Sequence, residues 1–309
     1  MKVVIIGDFP VATKCDIIES FPAGWEVQVV SPMAAEGALD NAEVVIPEHF
    51  SIDAELLQKA PRLKLVQTGA GYDHVDVAAC RHRGVAVCNA AGVNAAAVAE
   101  HALAMMLCWY KNVASLDRCM KQGKEAYLAY RGAELSEKTL GIVGLGHVGR
   151  RLAVVARALG MRVLGYSYRP MTVEGVTLRP LAALYEECDV ISLHVPLVPD
   201  TRRMIDAETL ARMKPDALLV NTSRGGLVDE TALVAALKEG RIGGACLDVF
   251  EEEPLSRDHP LRALENVILT PHTAGYPDGV KFHKKRYAFF VENIERLLRG
   301  EPLASRVDR

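Results

Sequence analysis

Gly144-Leu145-Gly146-His147-Val148-Gly149 lies in mid-chain, between the apolar run Leu140-Gly141-Ile142-Val143 and the helix-like run Arg150-Arg151-Leu152-Ala153-Val154-Val155. A turn of spaced glycines between a buried strand and a helix calls for a parallel sheet with the helix packed back across it. Gly144 allows the tight turn, Gly146 lets backbone approach a pyrophosphate, and Gly149 lets the helix lie close on the strand. The helix N-terminus offers unpaired N–H groups and a partial positive charge to a phosphate. With Leu145, His147 and Val148, the segment reads as a dinucleotide-binding turn. A glycine-rich turn that binds nothing is the plainer alternative, and the flanking strand and helix count against it.

Short β-branched runs alternate with helical patterns along the whole chain, the mark of α/β architecture with parallel sheets. A first series of strands is expected at Lys2–Ile6, Glu26–Val30, Val44–Ile46, Leu63–Gln67 and Val85–Cys88, with helices including Asp53–Ala60 and Asp76–Arg83. A long apolar helix is expected from Ala95 to Met120, with Asn94 as N-cap. A second series runs through Thr139–Val143, Arg162–Tyr166, Val190–Val195, Ala217–Thr222, Gly244–Asp248 and Val267–Thr270. Its helices are expected at His147–Leu159, Ala207–Met213 and Thr231–Lys238, the last capped by Asp229 and ended by Gly240. An amphipathic helix from Gly279 to Arg299 follows. The first βα turn, Gly7-Asp8-Phe9-Pro10, has one glycine, an acid and a proline, and is a poor phosphate cradle. The nucleotide site therefore belongs to the second series. Two doubly wound parallel-sheet domains are expected: residues 97–276 bind the dinucleotide, inserted into a domain made of 1–96 plus 277–309.

Bulk properties agree with this reading. The 309 residues suffice for two cores. A formal net charge of -3 points to neither a nucleic-acid nor a membrane partner, and no apolar run is long enough for a span. The N-terminus meets Asp8 too soon for a secretory signal, and seven scattered cysteines with no Cys-x-x-Cys pair read as reduced core thiols. A cytoplasmic protein is expected.

The end of the second strand of the nucleotide series selects the cofactor. NAD enzymes carry an acid there, about 20 residues beyond the glycine motif, for the ribose 2′-hydroxyl. Here the segment is Tyr166-Ser167-Tyr168-Arg169-Pro170, with no acid. Ser167 is neutral, and Arg169 can pair with a 2′-phosphate in fork geometry. NADP(H) is favoured and NAD(H) remains acceptable; a solvated loop arginine is the bland reading of Arg169.

Three later polar residues suggest chemistry. Arg224, in Thr222-Ser223-Arg224-Gly225-Gly226, stands at a strand end, where a guanidinium can grip a carboxylate or polarise a carbonyl. A structural salt bridge is the common fate of such an arginine. His272, in Thr270-Pro271-His272-Thr273, can act as general acid when a hydride turns a carbonyl into an alkoxide. The other eight histidines read as ordinary. Glu253, directly before Pro254, is one of three adjacent glutamates that could fix the imidazole.

With these in place the chain resembles the D-isomer-specific 2-hydroxyacid dehydrogenases. The resemblance rests on Gly71-Tyr72-Asp73-His74-Val75-Asp76, Val98-Ala99-Glu100-His101, Gly141-Ile142-Val143-Gly144-Leu145-Gly146 and His194-Val195-Pro196-Leu197. It continues through Asn221-Thr222-Ser223-Arg224-Gly225-Gly226-Leu227-Val228-Asp229, Asp248-Val249-Phe250-Glu251-Glu252-Glu253-Pro254 and Pro271-His272-Thr273-Ala274-Gly275. It implies a Rossmann dinucleotide-binding domain inserted into a flavodoxin-like substrate domain. It selects Glu253 over Glu251 and Glu252 as the partner of His272, giving the catalytic set Arg224, Glu253 and His272. It implies cofactor contacts at Val195, Pro196, Thr222 and Ser223, and at Asp248 near the nicotinamide carboxamide, where a buried structural acid is the alternative. Substrate is expected to meet Ala70, Gly71 and Asn94 together with Arg224 and His272; helix capping alone also explains Asn94.

The implied activity is reduction of glyoxylate, hydroxypyruvate or a similar 2-keto acid to the D-2-hydroxy acid, and relatives of this kind are homodimers. Two departures leave substrate choice open. Leu107-Cys108-Trp109-Tyr110-Lys111 stands where many relatives carry arginine, and the usual tryptophan before the nucleotide domain is replaced near Tyr127 or Tyr130. A formate or phosphite dehydrogenase is the enzymatic alternative, though formate enzymes carry glutamine where Glu253 stands. An NAD(H)-sensing corepressor-like module is the non-enzymatic one.

Overall fold

The computed structural model describes residues 1–48, 50–124, 132–275 and 280–308, with backbone alone at 280–283. Two compact units emerge: Met1–Asn94 with Tyr276–Arg309, and Ala95–Gly275. The strands are β1 (Lys2–Ile6), β2 (Glu26–Val30), β3 (Val44–Pro47), β4 (Leu65–Thr68), β5 (Ala86–Asn89), β6 (Thr139–Val143), β7 (Arg162–Tyr166), β8 (Thr177–Leu178), β9 (Val190–Leu193), β10 (Leu218–Asn221), β11 (Gly244–Leu247) and β12 (Val267–Leu269). The helices are α1 (Val11–Glu19), α2 (Ala35–Ala38), α3 (Ala54–Gln58), α4 (Val77–His82), α5 (Ala95–Tyr110), α6 (Val113–Lys121), α7 (His147–Ala158), α8 (Leu181–Glu187), α9 (Ala207–Arg212), α10 (Glu230–Lys238) and α11 (Val280–Arg299).

The first unit holds a five-stranded parallel sheet in the order β2-β1-β3-β4-β5, the flavodoxin-like arrangement. Val3, Val4, Ile5 and Ile6 are all fully buried, because helices cover both faces and leave no polar side for alternation. Val4, Ile6, Leu57 and Val66 pack on one face. Val3, Ile5, Ile46 and the α11 residues Tyr287, Phe290 and Ile294 pack on the other. The three α11 residues share one stripe, as helical spacing requires. Asn293 fastens the same helix to β4: its Nδ2 donates to Gln67 Oε1 at 2.7 Å, and its Oδ1 accepts the Ala304 N–H at 2.8 Å.

The second unit holds a seven-stranded parallel sheet in the order β12-β11-β10-β9-β6-β7-β8. Counted from β6, this is the Rossmann order 3-2-1-4-5-6 with one strand added. The strand order reverses between β6 and β9, and β6 runs into Gly144. The two-residue strand β8 was not expected, since two exposed residues carry no periodic signal. The single helix expected from Ala95 to Met120 is instead two. α5 stops at Tyr110, Asn112 adopts a left-handed φ of 54°, and α6 begins at Val113. Asparagine tolerates that conformation better than most residues, so an interruption there is cheap. α5 lies over the sheet, where its Trp109 indole fills the space that a Cβ at Gly244 would need. The glycine-capped end of α10 is as expected, and the Asp229 side chain accepts the Ala232 N–H at 3.0 Å. Gly279 and the tyrosines at 127 and 130 lie outside the described residues.

Phe290 is fully buried among Tyr287, Ile294 and the β1 side chains. Phe290→Ala should lower stability by about 3–5 kcal/mol through lost burial and the cavity left behind. Urea denaturation read by circular dichroism checks this.

Candidate active site

The glycine turn closes as its residue types require. Gly144 sits at φ 100°, its N–H donating to Tyr166 O at 2.9 Å, and a Cβ there would strike the His194 carbonyl and Val195. Gly149 lies on the Gly144 carbonyl so closely that any Cβ would overlap it. A Cβ at Gly146 would meet nothing within 4 Å, so the turn faces open space there. α7 has no side-chain cap and no acid in its first turn. Its first N–H groups therefore remain available to an anion. His147 is exposed and Val148 partly so, whereas Leu145 is buried against Gly165 of β7. Leu145 can thus offer a ligand only its backbone.

The neighbouring strand ends complete this edge. Val195 and Pro196 follow β9, beside the glycine turn. Ser167 and Arg169 follow β7; Arg169 is exposed and enters no ion pair among the described residues. After β10, Ser223 Oγ donates to Leu193 O at 2.7 Å, so this hydroxyl serves to join two strand ends. Thr222 Oγ1 is buried and, among the described residues, has no hydrogen-bond partner. An orphaned hydroxyl, an open glycine and an uncapped helix terminus along one sheet edge fit a dinucleotide. His194 was not singled out in the sequence. Its Nε2 lies 2.8 Å from Ser192 Oγ, and burial pushes its pKa down to about 4, leaving it neutral at pH 7.

The trio is assembled by adjacent strands. β10 and β11 are paired, so the loops that leave them meet. At Gly225 the contact is backbone on backbone, because a Cβ would overlap the Phe250–Glu251 peptide. Arg224 is held by its own turn: Asn221 Nδ2 donates to Arg224 O at 2.8 Å, and Arg224 Nη1 donates to Ser223 O at 2.8 Å. Glu253 Oε1 accepts the Phe250 N–H at 3.0 Å, and Oε2 lies 2.6 Å from His272 Nδ1. The proton between them belongs on Nδ1, since an ionised carboxylate can only accept. The two side chains are 30% and 34% exposed, within reach of a ligand from solvent. Glu251 is turned away to Arg203, 3.2 Å distant, and Glu253 is the glutamate at the imidazole.

Asp248 is fully buried, and its oxygens are occupied by the loop that carries His272. Oδ1 accepts from Thr270 Oγ1 at 2.6 Å and from the Thr273 N–H at 2.8 Å; Oδ2 accepts the Ala274 N–H at 2.9 Å. Its carbonyl accepts the His272 N–H at 2.7 Å. Beneath the Glu253 loop, Glu230 accepts the Glu251 N–H at 2.6 Å and lies 3.2 Å from His259 Nε2. Glu230 and His259 also escaped the sequence reading; an acid directly after the N-cap Asp229 looks like a helix-dipole residue. In the other unit, the loop after β4 is pinned through its carbonyls. Ala70 O accepts Asn89 Nδ2 at 2.9 Å, and Gly69 O accepts the Ala90 N–H at 2.8 Å. Ala70 is exposed, and Gly71 and Asn94 are partly so.

Burial works to raise the Glu253 pKa, but the bonds from His272 and Phe250 and the charges of His272 and Arg224 outweigh it. The carboxyl is held below its ordinary 4.5. A depressed folded pKa contributes stability that is present above the unfolded value and lost as pH falls through the folded one. Glu253→Gln should therefore flatten the stability–pH curve below about pH 4.5. Urea titrations from pH 3 to 7 on both proteins test this, and equal slopes in the acid range would refute it.

Comparison with known proteins agrees with the geometry. The sequence model described as D-isomer specific 2-hydroxyacid dehydrogenase, NAD binding domain, matches residues 103–274. The chain is 43% identical over 259 residues to a glyoxylate reductase of Korarchaeum cryptofilum, covering 81% of this chain and 77% of that protein. It is 38% identical over 294 residues to a D-3-phosphoglycerate dehydrogenase of Synechocystis, covering 90% of this chain but only 52% of that protein. The chain thus spans about half the length of this second relative. A solved acyclic imino acid reductase (Bsp5), in complex with NADPH and D-Arg, superposes with a TM-score of 0.87 at 31% identity, over 99% of this chain and 100% of that one. The chain belongs to the D-isomer-specific 2-hydroxyacid dehydrogenase family.

Proposed function

We propose that the protein is an NAD(P)H-dependent oxidoreductase that reduces a small 2-keto acid, such as glyoxylate or hydroxypyruvate, to the D-2-hydroxy acid. The observation that carries this reading is the 2.6 Å contact between His272 Nδ1 and Glu253, with the Arg224 charge acting on the same carboxylate. A bound nicotinamide supplies the hydride. The glycine turn 144–149 and the ends of β9 and β10 hold the dinucleotide, with Val195, Pro196, Thr222 and Ser223 along its path. Arg224 grips the substrate carboxylate in fork geometry and draws electrons from the adjacent carbonyl. His272 transfers a proton from Nε2 to the carbonyl oxygen as charge develops there. Glu253 keeps the ring oriented and its Nδ1 protonated throughout. Ala70, Gly71 and Asn94 line the substrate side in this reading, which makes the first unit the substrate domain. Ser167 and the exposed Arg169, without an ion pair among the described residues, favour NADPH over NADH. A cytoplasmic homodimer completes the reading, supported by the cysteine usage and the family resemblance.

Initial rates of NADPH and NADH oxidation over a panel of 2-keto acids test it. Turnover should be faster with NADPH, and His272→Ala should lower kcat by roughly 10²–10⁴-fold. Arg169→Ala should raise the KM for NADPH and leave that for NADH unchanged. Saturable cofactor binding without turnover of any keto acid would overturn the substrate class. Turnover of formate or phosphite instead would identify the alternative enzyme, and turnover of none a sensor.

A further inference from the structure

His101 stands in α5, far in sequence from the loop that presents His272, yet its Nε2 lies 3.0 Å from Thr270 Oγ1 and 3.6 Å from Asp248 Oδ1. The direction of these bonds follows from counting hydrogens. The Thr270 hydroxyl has one proton and spends it on Asp248 Oδ1 at 2.6 Å. Its oxygen can then only accept, so the proton on His101 is at Nε2 and points at Thr270. Asp248, fully buried, gathers Thr270 on one side of His272 and Thr273 and Ala274 on the other.

Between these clamps His272 takes a left-handed φ of 54°, with its N–H bonded to Asp248 O at 2.7 Å. A histidine in that region is costly, and such a conformation persists where its surroundings over-determine it. His101 supplies part of that determination from a second element. α5 lies on β10 and β11, the strands that bear Arg224 and Asp248 at their ends, so the helix is a rigid base for the contact.

We propose that His101 is a positioning residue for His272, acting through Thr270 and Asp248 to hold the loop in the geometry that lets the imidazole meet both Glu253 and substrate. The proposal rests on His272 being the proton donor, as argued above. Its chemistry requires a donor at the position of His101 Nε2 and not an imidazole as such, so glutamine should replace it and leucine should not.

The test compares wild type with His101→Leu, His101→Gln and Thr270→Val. Proteins labelled with nitrogen-15 at histidine give imidazole correlations by NMR, with the His272 signals assigned by their loss in His272→Ala. His101→Leu and Thr270→Val should each shift or broaden the His272 signals and lower kcat by about 10–100-fold with the KM for cofactor little changed. His101→Gln should restore both. Thr270→Val keeps side-chain volume and decides the matter if His101→Leu fails to fold. Unchanged His272 signals and kcat in a folded His101→Leu or Thr270→Val protein would overturn the proposal, as would a failure of glutamine to restore them. If wild type reduces no keto acid, the functional reading fails, and the imidazole signals still judge the positioning role by themselves.

Discussion

Backbone packed directly on backbone is the constraint on which the second unit depends. Parallel strands end at one edge, and their loops must crowd together there if side chains from different strands are to meet. At Gly144, Gly149 and Gly225 the crowding leaves no room for a Cβ. The Gly149 position lies on the Gly144 carbonyl, which brings α7 down onto β6, and the Gly225 position lies on the Phe250–Glu251 peptide, which brings the Arg224 turn against the Glu253 loop. One contact sets the uncapped helix terminus at the edge. The other brings a cation and a carboxylate together from positions almost thirty residues apart.

Electrostatics then divides the acids at this edge by environment. Asp248 is fully buried and meets donors at both oxygens, as a carboxylate removed from water must. Glu253 is about a third exposed and has one oxygen on backbone and one on His272. Glu251 pairs with Arg203 at the surface. The buried acid holds the loop, and the half-exposed one holds the imidazole that the loop presents. His272 thus sits on a layered arrangement, and each layer has hydrogen-bond partners that account for it.

Much of this was legible in the chain. The strand positions, both domains of parallel sheet, the glycine turn and the pairing of Glu253 with His272 follow from local patterns and family resemblance, and strand ends moved by only a residue or two. The readings that failed have physical reasons. The break at Asn112 was hidden because the flanking residues keep a helical pattern and only the backbone angle at one asparagine interrupts it. β8 was hidden because two residues have no period. The glycine motif also names positions without saying which atoms face outward: the Leu145 side chain turns into the core and only its backbone stays at the turn.

His101 shows the boundary most clearly. As sequence it is one of nine histidines, set in an apolar helix at the end of a family-like run that gives it no role. In the fold it reaches Thr270, 169 residues away. Periodicity, glycine spacing and turn chemistry are short-range properties, so the sequence by itself determined the elements, the parallel architecture and the residue types gathered at the strand ends. Which donor meets which acceptor is decided by strand order and by helices laid across the sheet. Only the tertiary structure could therefore turn Asp248 inward onto the His272 loop, set His101 behind it and bury the Thr222 hydroxyl without a partner among the described residues.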